Sequence, residues 1–534
     1  MPTVLRFLRL LGPALLRQWR DLLGGLWVIL AAISIFANGG PVADMPYTLF
    51  WPALGLVGWL FVRRYAPPPP HQPRHVRPPQ PPAGDPAPYR ILLGWGRGGW
   101  VSAPYQMAGL VLGPPRSGKT RGVIIPNVAA WPGPVLVTST RRDVLDATAA
   151  WRGHDGVGWI FDPLGVVDPL PIGTYRLVWS PLRGCRDWDT ARRRAEALAV
   201  DSGRGVENSS HWRTRAAQLV AVALHSAACG DRDMATLCSW VHAQRAEPLQ
   251  ALCEAPAAKA VLQGLLATPQ RERGSIWSAA QGVLAPFDTQ AVCQAADAVP
   301  VLPFDPLDFL AGAQTVWVVA PSDAPTDGAP LVVSLVEEVR EAARRLSDEQ
   351  GALPIPWLCA LDEAATICPL PALPRMLAEG GGRNIITLVA LQDLRQAADR
   401  WGQAAAQSFL TLAGAKLILP GLADAETLRT LEALAGRDFI PRTTTTLSTG
   451  RHPGRYGADR TQSATHGWVE QPTVPASAWR SGPPGSAWAL VGQYAPAQIQ
   501  LVDPDRTLPF AGWLRPAREA LSGPGSEPGQ ERRR

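Results

Sequence analysis

From Tyr89 onward the chain alternates short, dense apolar runs with longer stretches of helical spacing. Eight runs stand out: "GLVLG" at 109–113, "PVLVT" at 134–138, "GWIFD" at 158–162, "TVWVVA" at 315–320, "WLCALDE" at 357–363, "IITLVALQ" at 385–392, "AKLILP" at 415–420 and "AWALVG" at 487–492. Each has strand length, and most are continuously apolar rather than alternating, which is the pattern of strands covered on both faces. Helical stretches lie between many of them, so the alternation predicts an α/β fold around a largely parallel sheet. One interval breaks the rhythm. From Leu182 to Asp305 the chain is rich in Ala, Arg and Leu, as in "DTARRRAEALAV" and "HWRTRAAQLVAVALHSAA". This predicts an all-α domain, 182–305, inserted into an α/β core that occupies 89–181 and 306–521.

The N-terminal pattern is different. Two apolar runs, Leu22–Ala37 and Tyr47–Val62, are each a little short of the ~20 residues that usually span a bilayer. Arg6, Arg9, Arg17 and Arg20 precede the first, and Arg63 and Arg64 follow the second. The intervening Asn38–Pro46 carries no Lys or Arg. By the positive-inside rule this predicts a transmembrane helical hairpin over 1–66 with both flanks in the cytoplasm, and Trp27, Trp51 and Trp59 suit the interfaces. A cleaved signal peptide or two buried core helices are the competing readings. Residues 67–88, "PPPPHQPRHVRPPQPPAGDPAP", read as an extended, semi-rigid spacer. Residues 522–534 read as a disordered tail.

Composition narrows the chemistry. At 534 residues about three units are expected. The seven cysteines are scattered with no CxxC pair, which argues against a disulfide framework or a zinc site. A net charge of +6 is only a weak pointer to an anionic partner. More telling, the 51 basic residues include three lysines: Lys119, Lys259 and Lys416. Lys119 lies in "GPPRSGKT", where Gly113, Pro114, Pro115, Arg116, Ser117, Gly118, Lys119 and Thr120 fit the phosphate-loop pattern GxxxxGK[ST]. Glycines let the backbone wrap phosphates and aim its N–H groups at them. A helix starting near Gly118 points its positive end at the anion. Lys119 supplies a compact charge that a planar guanidinium does not replace. Thr120 is a ligand for Mg²⁺, and the nucleotide is expected to be ATP.

Hydrolysis also needs a metal-positioning acid and a group that orients water. "PWLCALDEAA" ends an apolar strand on Asp362 and Glu363. Asp362 is expected to hold Mg²⁺ and Glu363 to polarise the attacking water. Gln392 ends the next strand, where strand ends of open α/β sheets face the ligand. Arg375 and Arg383 precede it as candidate arginine fingers acting in trans in a ring, with Arg383 the one assigned to catalysis.

These blocks, in this order, resemble the TraG/TraD-type coupling proteins of type IV secretion and conjugation. The resemblance runs through "GPPRSGKTRGVIIPNVAAWPGPVLV", "WIFDPLG", "YRLVWSPLRG", "SSHWRTRAAQLVAVALH", "LCALDEAATI", "VALQDLRQ" and "AGAKLILPGLADAETLRTLEALAG". It implies a RecA-like P-loop nucleotide-binding core and a homo-hexameric ring in the inner (plasma) membrane. It further implies an ATPase domain in the cytoplasm, and single-stranded DNA with its relaxase and the channel proteins as partners. The sequence departs from the family at Ser139-Thr140-Arg141-Arg142-Asp143, where an acidic-lysine patch is usual, and at Gly381, where an arginine is common. Three activities stay open: a DNA-transfer motor, a coupling ATPase that exports protein effectors without DNA, and a nucleotide-gated scaffold. Intact Lys119, Thr120, Asp362 and Glu363 argue against the scaffold.

Overall fold

A computed structural model describes residues 84–201, 209–297, 300, 302–321, 325–450 and 459–515. Its strands are β1 (Leu92–Gly96), β2 (Gly99–Ser102), β3 (Gly109–Leu112), β4 (Val135–Ser139), β5 (Gly158–Phe161), β6 (Thr174–Arg176) and β7 (Thr315–Val319). They continue with β8 (Trp357–Leu361), β9 (Ile385–Leu391), β10 (Ala415–Ile418), β11 (Arg437–Gly450), β12 (Asp459–Pro472), β13 (Ser486–Val491) and β14 (Ala497–Gln500). Twelve of them form one sheet in the order β2-β1-β14-β13-β10-β3-β9-β8-β4-β7-β5-β6. From β10 to β6 every pairing is parallel. The remaining four strands join antiparallel at one flank.

The continuous apolar runs become strands because both of their faces are buried. In β8, Trp357, Cys359 and Leu361 enter one core, and Leu358 and Ala360 enter the other. In β7, Val316 and Val318 face the first core, and Trp317 and Val319 the second. The second core is closed by the segment Thr120–Ala130, the helix Asp143–Arg152 and Phe510 and Leu514 near the C-terminal end of the described chain. The first core is continuous with the helices between β6 and β7, which include Trp188–Leu198, Ser209–Cys229 and Gln270–Leu284. Among the described residues that interval holds no strand. Asp187 and Asp233 cap its helices by accepting the backbone N–H of Thr190 and Thr236. Glu338, on the core helix Pro325–Gln350, ties it down: it accepts from Trp179 Nε1 at 2.5 Å and pairs with Arg194 at 2.8 Å.

All eight apolar runs are strands, but the last is not parallel. Gly421 N–H donates to Arg480 O (2.8 Å), so the chain re-enters the sheet at the end where β10 left it. β13 must therefore run antiparallel to β10. The two N-terminal apolar runs, the Pro-rich segment to residue 83 and the tail from 522 lie outside the described residues. Among those described, no helix is long and apolar enough to cross a membrane.

Candidate functional site

Parallel strands deliver their C-terminal ends to one edge, and there the sequence motifs converge. β3 ends at Leu112 and the loop Gly113–Thr120 follows. Its first N–H, on Gly113, donates to Leu391 O of β9 (3.2 Å). A side chain at Gly113 would meet Ser117 Oγ at 2.7 Å and Leu419 Cβ at 2.9 Å, so the turn closes only on glycine. Gly118 has φ +98°, the left-handed region that glycine enters without strain. Arg116 sits in that region too, at φ +62°, which is strained for a side-chain residue. Ser117 Oγ is buried and has no hydrogen-bond partner among the described residues.

Lys119 is 4 % exposed, and its Nζ donates to the carbonyls of Gly113 (2.6 Å) and Pro114 (3.0 Å). Burial lowers its pKa, and the negative charges of Glu363 and Asp362 oppose that shift. The loop thus curls around its own ammonium. The helix that follows does not begin as regular α. Thr120–Ile124 is a π-type turn in which Ile125 N–H reaches Thr120 O, and the α-helix is Ile125–Ala130. Pro126 explains this, because it has no N–H to give and its ring clashes with a regular α turn.

β8 brings the acids. Side-chain alternation places Asp362 on the face of Leu358 and Ala360, the face covered by the phosphate-loop helix. Thr120 Oγ1 donates to Asp362 Oδ2 at 2.5 Å. Asp362 is 2 % exposed, and burial pushes its carboxyl up to about 6 despite the Thr120 hydrogen bond. Thr138 Oγ1 of neighbouring β4 donates to Asp362 O (3.0 Å), and Glu363 N–H donates to Asp362 Oδ1 (3.1 Å). Glu363 itself is left-handed, φ +51° and ψ +40°, so the chain breaks sharply off the strand there.

β9 lies between β3 and β8, so Gln392 stands between the phosphate loop and the acids. Gln392 Nε2 donates to Glu363 Oε2 at 3.4 Å. Its backbone N–H is held by Gln396 Oε1 (3.1 Å), and Gln396 also reaches Thr366 beyond Glu363 (3.4 Å). Gly113, Ser117, Gly118, Lys119, Thr120, Asp362, Glu363 and Gln392 are therefore brought to one edge, while Pro115 and Arg116 form the exposed outer arc of the loop.

The structure places Arg383, expected to act in trans, away from the site of its own chain. It precedes β9, at the opposite end of a seven-residue strand, about 23 Å away at ~3.3 Å per residue. Its guanidinium is held by Asp348 and by Ser347 Oγ (2.9 Å). It takes no part in the site of its own chain. Arg375 is exposed on the helix Leu373–Glu379. In the departing segment after β4, Ser139 Oγ donates to Asp143 (3.1 Å) and Arg142 turns to Asp146 (3.3 Å). Arg141 stays exposed beside the site.

Residues that sequence reasoning passed over support this edge. Asn127 accepts from Leu92 N and donates to Leu92 O, each at 2.8 Å, which pins β1 to the helix after the loop. Thr138 and Gln396 orient Asp362 and Gln392. A lone polar residue in an apolar strand was the available signal for Thr138.

The family model described as Type IV secretory system Conjugative DNA transfer matches residues 74–465. The chain belongs to that family. Relatives include a conjugal transfer protein TraG of Escherichia coli, 24 % identical over 327 residues, which cover 54 % of this chain and 49 % of the relative. A second TraG of Escherichia coli is 26 % identical over 210 residues, covering 35 % and 32 %. The chain thus spans about half or less of the length of the curated relatives it matches. Among solved structures, the conjugative coupling protein TrwBΔN70 superposes with a TM-score of 0.57 at 17 % identity, covering 77 % of this chain and 88 % of that one. TrwB in complex with ADP and Mg²⁺ gives 0.54 at 17 %, covering 74 % and 86 %. This likeness establishes the family's α/β fold with its large parallel sheet.

Proposed function

We propose that the chain is a membrane-anchored, ATP-hydrolysing coupling protein. In this reading it recruits relaxase-bound single-stranded DNA and drives its transfer through a type IV secretion channel, working as a homo-hexameric ring. The two N-terminal apolar runs anchor it in the inner membrane, with the ATPase domain in the cytoplasm. The observation that carries the reading is the 2.5 Å contact between Thr120 of the phosphate loop and Asp362, beside a buried Lys119. Family membership and the TrwB complexes with ADP and Mg²⁺ and with a non-hydrolysable ATP analogue supply the ligand chemistry.

The donors present fit that ligand. An ammonium held only by loop carbonyls, a buried Ser117 hydroxyl with no partner and a Thr–Asp pair at a strand end form a set suited to phosphates and one hard cation. Bound Mg²⁺ supplies charge neutralisation at the phosphates. Thr120 Oγ1 and Asp362 would hold it, the two groups already facing each other at 2.5 Å. Lys119 moves from the carbonyls of Gly113 and Pro114 to the terminal phosphates. Glu363 orients the attacking water, and Gln392 keeps that carboxylate aimed through its amide.

The test is ATP turnover of the purified chain in detergent, with and without a single-stranded oligonucleotide, across a salt series. The DNA-transfer reading expects turnover to rise with DNA, binding to fall steeply with salt, and Lys119→Ala to abolish hydrolysis. Turnover indifferent to DNA, with no binding even at low salt, would overturn it in favour of protein export.

A further inference from the structure

The ladder between β8 and β9 stops at Leu361 opposite Val389. Glu363 and Gln392 both lie past that pair, so strand pairing does not fix one against the other. Their side chains meet through Gln392 Nε2 and Glu363 Oε2 at 3.4 Å, the long end of a hydrogen bond. A contact that long is too weak to hold two side chains in one geometry.

Gln396 supplies what the ladder no longer does. Gln392 N–H, the donor that follows the last residue of β9, goes to Gln396 Oε1 at 3.1 Å. The other end of the same amide, Nε2, donates to Thr366 Oγ1 at 3.4 Å. Thr366 N–H donates to Glu363 O at 2.8 Å, and Ile367 N–H to the same carbonyl at 3.2 Å, so Thr366 belongs to the turn that hangs from Glu363. The partners fix the orientation of the amide: a backbone N–H only donates, so the oxygen of Gln396 must face Gln392. Gln396 is itself set in the first turn of the helix Leu394–Trp401, where Asp393 caps by accepting its N–H at 2.8 Å. On its other side β9 is tied to the phosphate loop, since Leu391 O accepts Gly113 N–H. One side chain therefore spans the segment that carries Glu363 and the segment that carries Gln392.

We infer that Gln396 is a positioning residue for hydrolysis, clamping the Gln392 amide and the Glu363 carboxylate at a fixed offset. The inference rests on the reading that Glu363 orients the attacking water, and it adds what keeps that carboxylate in place. Thr366 is the other half of the clamp. Gln396 acts through these neighbours, so its loss slows the chemical step without weakening nucleotide binding.

The experiment is ATP turnover, with equilibrium binding of a fluorescent ADP analogue, on the full chain in detergent. Gln396→Leu keeps the bulk and removes both hydrogen bonds. It is expected to lower kcat about ten-fold or more, with KM and nucleotide affinity unchanged. Thr366→Val removes only the far contact and should lower kcat about three-fold or more, while Thr366→Ser stays close to parental. If Gln396→Leu does not fold, the Thr366 pair decides alone. The critical comparison is Gln396→Leu added to Glu363→Gln, read by single-turnover hydrolysis. A clamp that works through Glu363 should slow that variant by less than about two-fold further. Parental kcat in Gln396→Leu and Thr366→Val, a loss of nucleotide affinity, or a full multiplication of the two effects would overturn the clamp and leave the hydrolysis reading standing. Parental turnover in Glu363→Gln would remove the role of Glu363, and the clamp with it.

Discussion

Asp362→Asn is expected to stabilise this protein while slowing hydrolysis, and the size of the gain follows from burial. The carboxyl is 2 % exposed and its pKa is raised from 3.8 to about 6, chiefly by desolvation. The folded-state pKa therefore lies above the unfolded one. Between about pH 4 and pH 6 the folded chain holds a proton that the unfolded chain has released, so stability falls as pH rises through that window. The shift of roughly two units corresponds to about 3 kcal/mol at ~1.4 kcal/mol per unit, fully lost above pH 6. Asparagine is isosteric and uncharged. Its carbonyl can take the Glu363 N–H and its amide can donate to Thr120 Oγ1, so both contacts of the carboxylate survive. In metal-free, nucleotide-free urea unfolding, the variant should be about 1–3 kcal/mol more stable than the parent at pH 8 and equal to it near pH 4. Its Mg²⁺-dependent hydrolysis should fall by a factor of about 100 or more. A variant no more stable than the parent at pH 8, or a difference that persists unchanged at pH 4, would refute the burial argument.

Three other changes probe separate parts of the reasoning. Glu363→Gln should keep nucleotide affinity while turnover drops about 100-fold or more, and joint loss of binding and turnover would reassign Glu363 to structure. Arg152 is 1 % exposed, donates to Thr315 Oγ1 (2.8 Å), Gly133 O (2.8 Å) and Ala313 O (3.2 Å), and is lowered to about 10 by burial. Arg152→Met should cost about 3–5 kcal/mol in unfolding experiments, and Arg152→Lys should not rescue it because the planar fork is lost. A reporter fused after Pro41 should be active outside the cytosol, and activity confined to the cytosol would remove the hairpin from the proposal.

The parts of this fold that the sequence made legible are those where one local pattern has one meaning. Eight apolar runs became eight strands because continuous burial on both faces leaves few alternatives. β1, β2, β6 and β14 were missed because they are short and carry glycine or exposed polar residues, as in "GWVS" and "TYR". β11 and β12 were missed because threonines replace the apolar run. The glycine turn Gly113–Thr120 after β3 was legible as well, since its glycine spacing precedes a lysine in a chain that uses arginine almost everywhere else. The separation of Arg383 from the site of its own chain was not legible, because sequence proximity to Gln392 says nothing about which end of a strand a residue occupies. A seven-residue strand lies between the two and carries them to opposite edges of the sheet.

Strand order was beyond the sequence, and it is what assembles the site. β9 follows β8 in the chain yet inserts between β8 and β3, so the Gln392 amide lands beside Glu363 rather than on the far flank. Around that insertion the chain accepts several local penalties at once: Arg116 and Glu363 in left-handed backbone, a carboxyl whose pKa burial raises, and a buried serine hydroxyl without a partner among the described residues. None of these stabilises the fold, and backbone strain of this kind is worth roughly 1–3 kcal/mol per residue. These lie within the two segments 116–120 and 362–363; the opposite edge of the same sheet also holds left-handed residues, Gln106 (φ +63°) and Asn384 (φ +60°), beside an ion-paired Arg383. Left-handed backbone alone therefore does not mark a site; what sets 116–120 and 362–363 apart is that it coincides there with a buried carboxyl, an ammonium held by loop carbonyls and an unpartnered hydroxyl, a donor set whose chemistry matches a phosphate and a hard cation.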